Sequence, residues 1–208
     1  TPAQRTIWET VKHHFAVSAC ILQKDARIGK IIGFYSVVFA AHTLLFFYSQ
    51  QYFADLGYNK VQISVIMLLV GGASCLGALA SEKMYRRFGK RCLIPETVII
   101  AAAILCYGSG KAGVAAAALM CAGFANAALY PIQSDSLNAL IPSEQRATLI
   151  SVDSMCFSIA MIVLFPLAGA FADRWGLKTV LLLLGAILLL FLLAAFCIEK
   201  ESFSSDHS

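Results

Sequence analysis

Asp153, His42, Asn126 and Ser49 stand inside long apolar runs, where a polar side chain finds no water and must either pair with a neighbour or act on a ligand. A carboxylate in the position of Asp153 can exchange a proton or hold a cation. Arg146, two helical turns before it on the same face, could instead pair with it and make it a latch. His42 titrates near neutrality and suits a proton carrier, although a lone histidine also serves as a packing group. Ser49, seven residues on, shares its helix face with Tyr35, Phe46 and Phe53, and Gln50 lies just off it. That stripe is expected to line a cavity for planar or amphipathic organic molecules, or to pack against another helix. Asn126 sits among Ala122, Gly123 and Ala127, and either hydrogen-bonds across a close helix crossing or shares a cavity wall with Tyr130. Gln133, Asp135 and Asn138 follow Pro131, whose missing N–H frees a backbone carbonyl. There Asp135 and Arg146 read as a salt-bridged gate rather than a binding site. Glu96 reads as an interfacial ion pair with nearby arginines. Catalytic signatures such as HExxH, GxSxG or a P-loop lysine motif are absent, His13 and His14 do not make a metal cluster, and no cofactor is called for.

The elements that position these residues follow from composition. With 59% hydrophobic and 13% charged residues, the chain has too little polar surface to cover a water-soluble core. Charges cluster between apolar stretches of about 20 residues, the length a helix needs to cross a hydrocarbon layer of about 30 Å; strands would alternate apolar and polar residues in shorter segments. The expected fold is all-α and polytopic, with six transmembrane helices near residues 31–53, 61–80, 92–110, 112–138, 147–172 and 179–198. The third and fourth are separated by little more than Gly110 and Lys111, which demands a tight hairpin.

With the N-terminus inside, the inner segments carry 12 of the 16 Lys and Arg residues and the outer ones four: Lys60, Lys111, Arg174 and Lys178. Basic residues favour the cytoplasmic side, so both termini are expected there, in the plasma membrane. The net charge of +4 therefore belongs to loops flanking spans, and nucleic acid is not an expected partner. Residues 1–30 are expected to form an amphipathic helix on the inner membrane surface, through Trp8, Val11, Phe15, Ile21 and Leu22. Residues 199–208 are expected to be a disordered tail. Seven cysteines are scattered without a CxxC pair and read as reduced apolar residues. The chain begins at Thr1 without Met or a signal peptide and reads as a piece of something longer.

Several segments resemble the C-terminal half of the major facilitator superfamily. The stretch GALASEKMYRRFGKR, Gly77 to Arg91, resembles the superfamily's loop signature of Gly, an acidic residue, basic residues, Gly and a basic pair, with Ser81 where the pattern has Asp and Glu82 next to it. Tyr130 to Met155 and Pro166 to Lys178 look like the tenth and eleventh helices and their ends. IPSEQRAT, Ile141 to Thr148, resembles the turn between them, and FYSQQYFADLGY, ending at Tyr58, resembles the seventh helix and its loop.

The resemblance implies six helices packed against a missing N-terminal six-helix half, a small-molecule substrate near the bilayer midplane, and alternating access by rocking. Spans one, two, four and five would be central, three and six peripheral. It assigns a gating loop to Gly77, Glu82, Arg86, Arg87, Gly89 and Arg91, whose charges would latch neighbouring helix ends. The substrate-cavity residues are His42, Ser49, Gln50, Asn126 and Tyr130; Asp153 is the coupling residue, and Asp135 with Arg146 the cytoplasmic gate. The reading is secondary active transport of a small organic solute, coupled to protons, with efflux of drug-like compounds or metabolites as the expected direction. The alternative is a non-transporting scaffold or receptor that keeps the fold; an intramembrane enzyme lacks a paired nucleophile and base.

Overall fold

The computed structural model describes residues 26–89, 93–139 and 146–205, which are helical apart from the turns that join them. Helix α1 spans Ala26–Asp55, α2 Lys60–Phe88, α3 Leu93–Cys106 with a 3-10 turn over Tyr107–Ser109, α4 Ala112–Asn138, α5 Arg146–Trp175 and α6 Leu177–Ser205. Five of these are long and apolar enough to cross a membrane; the shorter apolar segment is Leu93–Ser109. At 1.5 Å per α-helical residue and about 2 Å in its 3-10 turn, that segment still rises roughly 27 Å.

Hydrogen bonding carries several helices past the ends that hydropathy marks. α1 begins at Ala26, within the stretch assigned to an amphipathic segment, and residues 1–25 of that segment lie outside the described residues. α2 runs through Glu82, Lys83, Arg86 and Arg87 to Phe88, so most of the expected loop is helix. α6 continues to Ser205, which corrects the disorder expected from Glu199 onward. Glu, Lys, Met and Arg are good helix formers, so a helix can outlast the apolar span that contains it.

The helix starts and turns are locally encoded. At the start of α2 the Asn59 side chain accepts from the Gln62 N–H at 2.9 Å, and the Gln62 side chain accepts from the Asn59 N–H at 2.9 Å. This capping box satisfies two of the amides that a helix start leaves unpaired. Between α3 and α4, Gly110 has φ +70° and donates its N–H to the Tyr107 carbonyl at 3.4 Å, giving the tight turn expected at Gly110 and Lys111. A side chain would be strained in that left-handed conformation.

α4 is gripped between α2 and α3, α1 packs most closely on α5 and also touches α4 and α6, and α6 lies against α3 and α5. α4 and α5 barely touch. The α2–α4 approach depends on two glycines. A Cβ at Gly77 would run into the Phe124 carbonyl oxygen, and one at Gly123 would lie 2.8 Å from Ser74 Oγ. Gly71 and Gly72 have nothing within 4 Å of a Cβ, so the small residues of α2 do not form one continuous contact surface. The main core joins α1, α3 and α4 through Val38, Leu45, Ile100, Ile104, Leu119 and Leu129.

Gly77→Ala is therefore expected to lower stability by about 1–3 kcal/mol, because its methyl group meets backbone that cannot rotate away. Gly71→Ala should leave stability unchanged or raise it by up to about 1 kcal/mol, through helix propensity alone. Thermal unfolding of both variants in the same detergent tests the contrast, and equal shifts would show that the close approach is not where the structure puts it.

Candidate functional site

Where α4 and α5 part, a cleft of about 340 Å³ opens, with α1 as its third wall. α1 contributes Ser36, Phe39 and Thr43; α4 contributes Asn126 and Tyr130; α5 contributes Asp153, Ser154, Phe157 and Ser158. The three α1 residues follow the spacing that keeps one face of a helix together. Phe39 and Tyr130 close one side, with ring centroids 5.6 Å apart.

The polar groups of this cleft are hydroxyls, one amide and one carboxylate. Thr43 donates its hydroxyl proton to the Phe39 carbonyl at 2.7 Å, and Ser158 donates to the Ser154 carbonyl at 2.8 Å. Both protons are used within their own helices, so these oxygens offer lone pairs. Ser36 is 3% exposed, and its Oγ has no hydrogen-bond partner; Asn126 Oδ1 is buried and unpaired too. Asp153 is half-buried and accepts a long hydrogen bond, 3.5 Å, from Nε2 of the fully buried Gln133. Oε1 of Gln133 is left without a partner.

Toward the chain ends of these helices the cleft stops at an apolar cluster. Ile28 and Ile32 of α1, Leu137 of α4, and Leu149 and Val152 of α5 are buried together, one turn from Ser36 and directly before Asp153. A notch of about 10 Å³ beside Ser134 and Asn138 reaches Asp153 from that side.

The structure brings Asn126, Tyr130 and Asp153 together in this cleft. Three other cavity assignments are corrected or displaced. Ser49 is completely buried; its Oγ bonds the Leu45 carbonyl and meets the Tyr107 hydroxyl at 2.7 Å, so it faces α3 rather than the cleft. Tyr35 and Phe53, on the same stripe, are core residues. His42 does not line the cleft, and its Nε2 is buried with no partner. Gln50 is exposed, seven residues beyond Thr43 on the cleft-facing side of α1, but outside the lining itself. Asp135 and Arg146 are both exposed and form no ion pair among the described residues. The apolar cluster closes that end instead of a salt bridge. Glu96, expected at an interface, is 1% exposed and has no hydrogen-bond partner on either oxygen.

A family model described as Major Facilitator Superfamily matches residues 31–207, covering every helix that builds the cleft. The chain belongs to the Major Facilitator Superfamily. It is accordingly a multi-pass membrane transporter of that superfamily, and six helices are consistent with half of its fold. No curated protein sequence and no solved structure gives a significant match.

The segment that resembles the superfamily's loop signature takes a particular form here. Gly77 makes the close contact with Phe124, and Ser81, where the pattern has an acidic residue, is buried and donates to the Ala78 carbonyl at 2.7 Å. Glu82 is exposed and pairs with Arg86 of its own helix at 2.6 Å, rather than with a neighbouring helix end. An exposed pair four residues apart contributes about 0.3–0.5 kcal/mol, too little to latch a conformation alone. Arg87 lies over the Phe88 ring at 5.5 Å, Gly89 takes φ +59° at the helix end, and Arg91 is outside the described residues.

Ser36, Thr43, Ser154, Phe157 and Ser158 escape the sequence reading. Their signal is the spacing of Ser36, Thr43 and Gln50 along α1 and of Ser154 and Ser158 along α5. Ser49 supplies the contrasting prediction. Ser49→Ala should cost about 1–3 kcal/mol by leaving the buried Tyr107 hydroxyl unpaired, and the double variant with Tyr107→Phe should cost less than the two single costs added. Ligand binding should not change in either. Denaturation of the four proteins with binding measured alongside checks this; a binding defect confined to Ser49→Ala would return Ser49 to the cavity.

Proposed function

We propose that the cleft is one wall of the solute site of a secondary transporter, and that a second six-helix half covers it. The observation that carries this reading is a polar cleft holding one carboxylate, Asp153, in a bundle whose long helices expose many large apolar side chains. α5 supports it as well: the apolar window that qualifies it as a span contains no buried residue, and Ile159, Ile162 and Val163 are exposed beside the cleft. Such a face needs lipid or protein against it.

Transport then works by rocking one half on the other, with the apolar cluster around Ile32 and Leu149 as the closed end in this conformation. Opening that end separates α1, α4 and α5 by a small movement, because apolar contacts break without stranding a charge. Asp153 sits immediately beside the seal and within the cleft wall. It is placed to exchange a proton with whichever side is open, which is the requirement of gradient coupling. Cytoplasmic termini, a plasma-membrane location and export of drug-like organic solutes complete the reading, supported by the distribution of Lys and Arg and by the mixture of aromatic and small polar groups in the cleft.

The test is flux in proteoliposomes under an imposed proton gradient, using the chain together with its partner half. Asp153→Asn should abolish gradient-driven flux while sparing exchange of solute for solute. Unchanged driven flux removes Asp153 from coupling, and the absence of any solute movement in the unaltered protein leaves the scaffold or receptor reading in its place.

A further inference from the structure

We infer that the solute taken by this cleft is a small organic cation bearing an N–H donor, with an ammonium group held between Asp153 and the unpaired oxygens of Ser36 and Asn126. This names the substrate class of the site described above and rests on the reading of that cleft as half a solute site.

The argument is one of unmet hydrogen-bond demand. A buried oxygen without a donor costs about 1–3 kcal/mol, and one that stands in a cleft wall can recover that cost from a ligand's donor. Two lie in one cleft here, Ser36 Oγ and Asn126 Oδ1, and Gln133 Oε1 is a third beside Asp153. Thr43 and Ser158 add lone pairs, since their own protons are already donated to backbone carbonyls. The hydroxyls of Ser36, Tyr130 and Ser154 and the Asn126 amide can each donate as well, but none of them carries a charge to match Asp153. The lining contains no Lys, Arg or His, so nothing in it neutralises Asp153 or welcomes an anion. A protonated amine supplies what is lacking, namely a positive charge and several N–H groups on one atom.

The aromatic residues fix the rest of the ligand. Phe39, Tyr130 and Phe157 stand in the same wall as the carboxylate, and ring faces attract a cation as well as an apolar body. A volume of about 340 Å³ on this wall alone accommodates a single-ring amine.

Three probes of similar shape separate the terms: phenethylammonium, its N,N,N-trimethyl derivative, and phenylpropionate. Binding is measured by calorimetry to the intact transporter in lipid nanodiscs. Phenethylammonium should bind, the trimethyl derivative more weakly for want of N–H groups, and phenylpropionate not at all. Asp153→Asn should weaken phenethylammonium about tenfold or more, the loss expected for one charge-assisted hydrogen bond. Ser36→Ala is the sharper variant. It removes an oxygen that nothing in the protein uses, so the folded state should hold or gain stability while amine affinity falls several-fold. A loss of affinity with no loss of stability cannot be put down to misfolding.

Phenylpropionate binding as tightly as the amine, no amine binding at millimolar concentration, or unchanged amine affinity in both variants would overturn the inference. Transport is a separate readout. If an anion or a neutral solute is carried and the amine is not bound, the ligand class falls and the transporter stands; if the amine binds but nothing is carried, the reverse holds.

Discussion

A polar atom in hydrocarbon has no water to fall back on, and this structure is organised by where its polar atoms find partners. Most hydroxyls solve the problem within their own helix. Thr43, Ser49, Ser64, Ser74, Thr97, Ser151 and Ser158 each donate to a carbonyl one turn back. A helix can therefore present them to lipid, core or cleft at little cost. Tyr52 and Tyr107 solve it between helices: the Tyr52 hydroxyl donates to the Tyr107 carbonyl at 2.8 Å, and the Tyr107 hydroxyl meets Ser49. These bonds pin α1 to the end of α3. Among the described residues, the atoms that remain buried and unpaired fall in two kinds of place: Ser36 Oγ and Asn126 Oδ1 in the cleft wall with Gln133 Oε1 beside it, and His42 Nε2, Ser136 Oγ and the Glu96 carboxylate elsewhere in the bundle.

The same accounting explains why α4 can stand away from α5. Its contacts with α2 and α3 are extensive, and the glycine approach at Gly77 and Gly123 fixes it on that side. α5 is held through α1 and α6 instead, with the Tyr48 hydroxyl donating to the Phe165 carbonyl at 3.2 Å and the two rings stacked. α1 is thus the common wall. One of its faces closes the core through Val38 and Leu45, a second closes the apolar seal through Ile28 and Ile32, and a third opens on the cleft through Ser36, Phe39 and Thr43. Movement of α5 relative to α4 alters the seal and the cleft together without disturbing the core.

The six helices are legible in the sequence because hydropathy and length carry them, and their ends are misplaced for a physical reason. Hydropathy reports which residues lipid accepts, whereas a helix ends where its hydrogen bonds do, past Arg87 in α2 and past Glu201 in α6. Asn126, Tyr130 and Asp153 are legible because polar groups in a span stand out whichever way they point. The α1 face is not. Tyr35, His42 and Ser49 form one seven-residue stripe, and Ser36, Thr43 and Gln50 form another, displaced by one residue and so by about 100° around the axis. Both mix aromatic and polar neighbours. What decides between them is Tyr107 on α3, a tertiary partner that no local pattern in α1 reveals. The gate fails for a related reason: opposite charges near the ends of α4 and α5 invite a salt bridge, but Asp135 and Arg146 both point to the outside while Leu137 and Leu149 meet within.

The open side of the cleft also bears on what must cover it. Lipid can lie against Ile159, Ile162 and Val163, and even against Ser158 with its proton already donated. It cannot lie against Asp153, whose one described hydrogen bond, to Gln133, is long, and whose ionised form would cost several kcal/mol in hydrocarbon. The carboxylate therefore needs water, a cation or protein on that side. Water can reach it only from the side away from the apolar cluster at Ile28, Ile32 and Leu149, which stops the cleft one turn away. A second bundle facing α1, α4 and α5 meets the requirement, because it leaves lipid on the outer faces and encloses the carboxylate in a cavity filled by solvent or solute. The position of Asp153 beside the exposed apolar residues of α5 thus supports the proposed covering half together with the shape of the cleft.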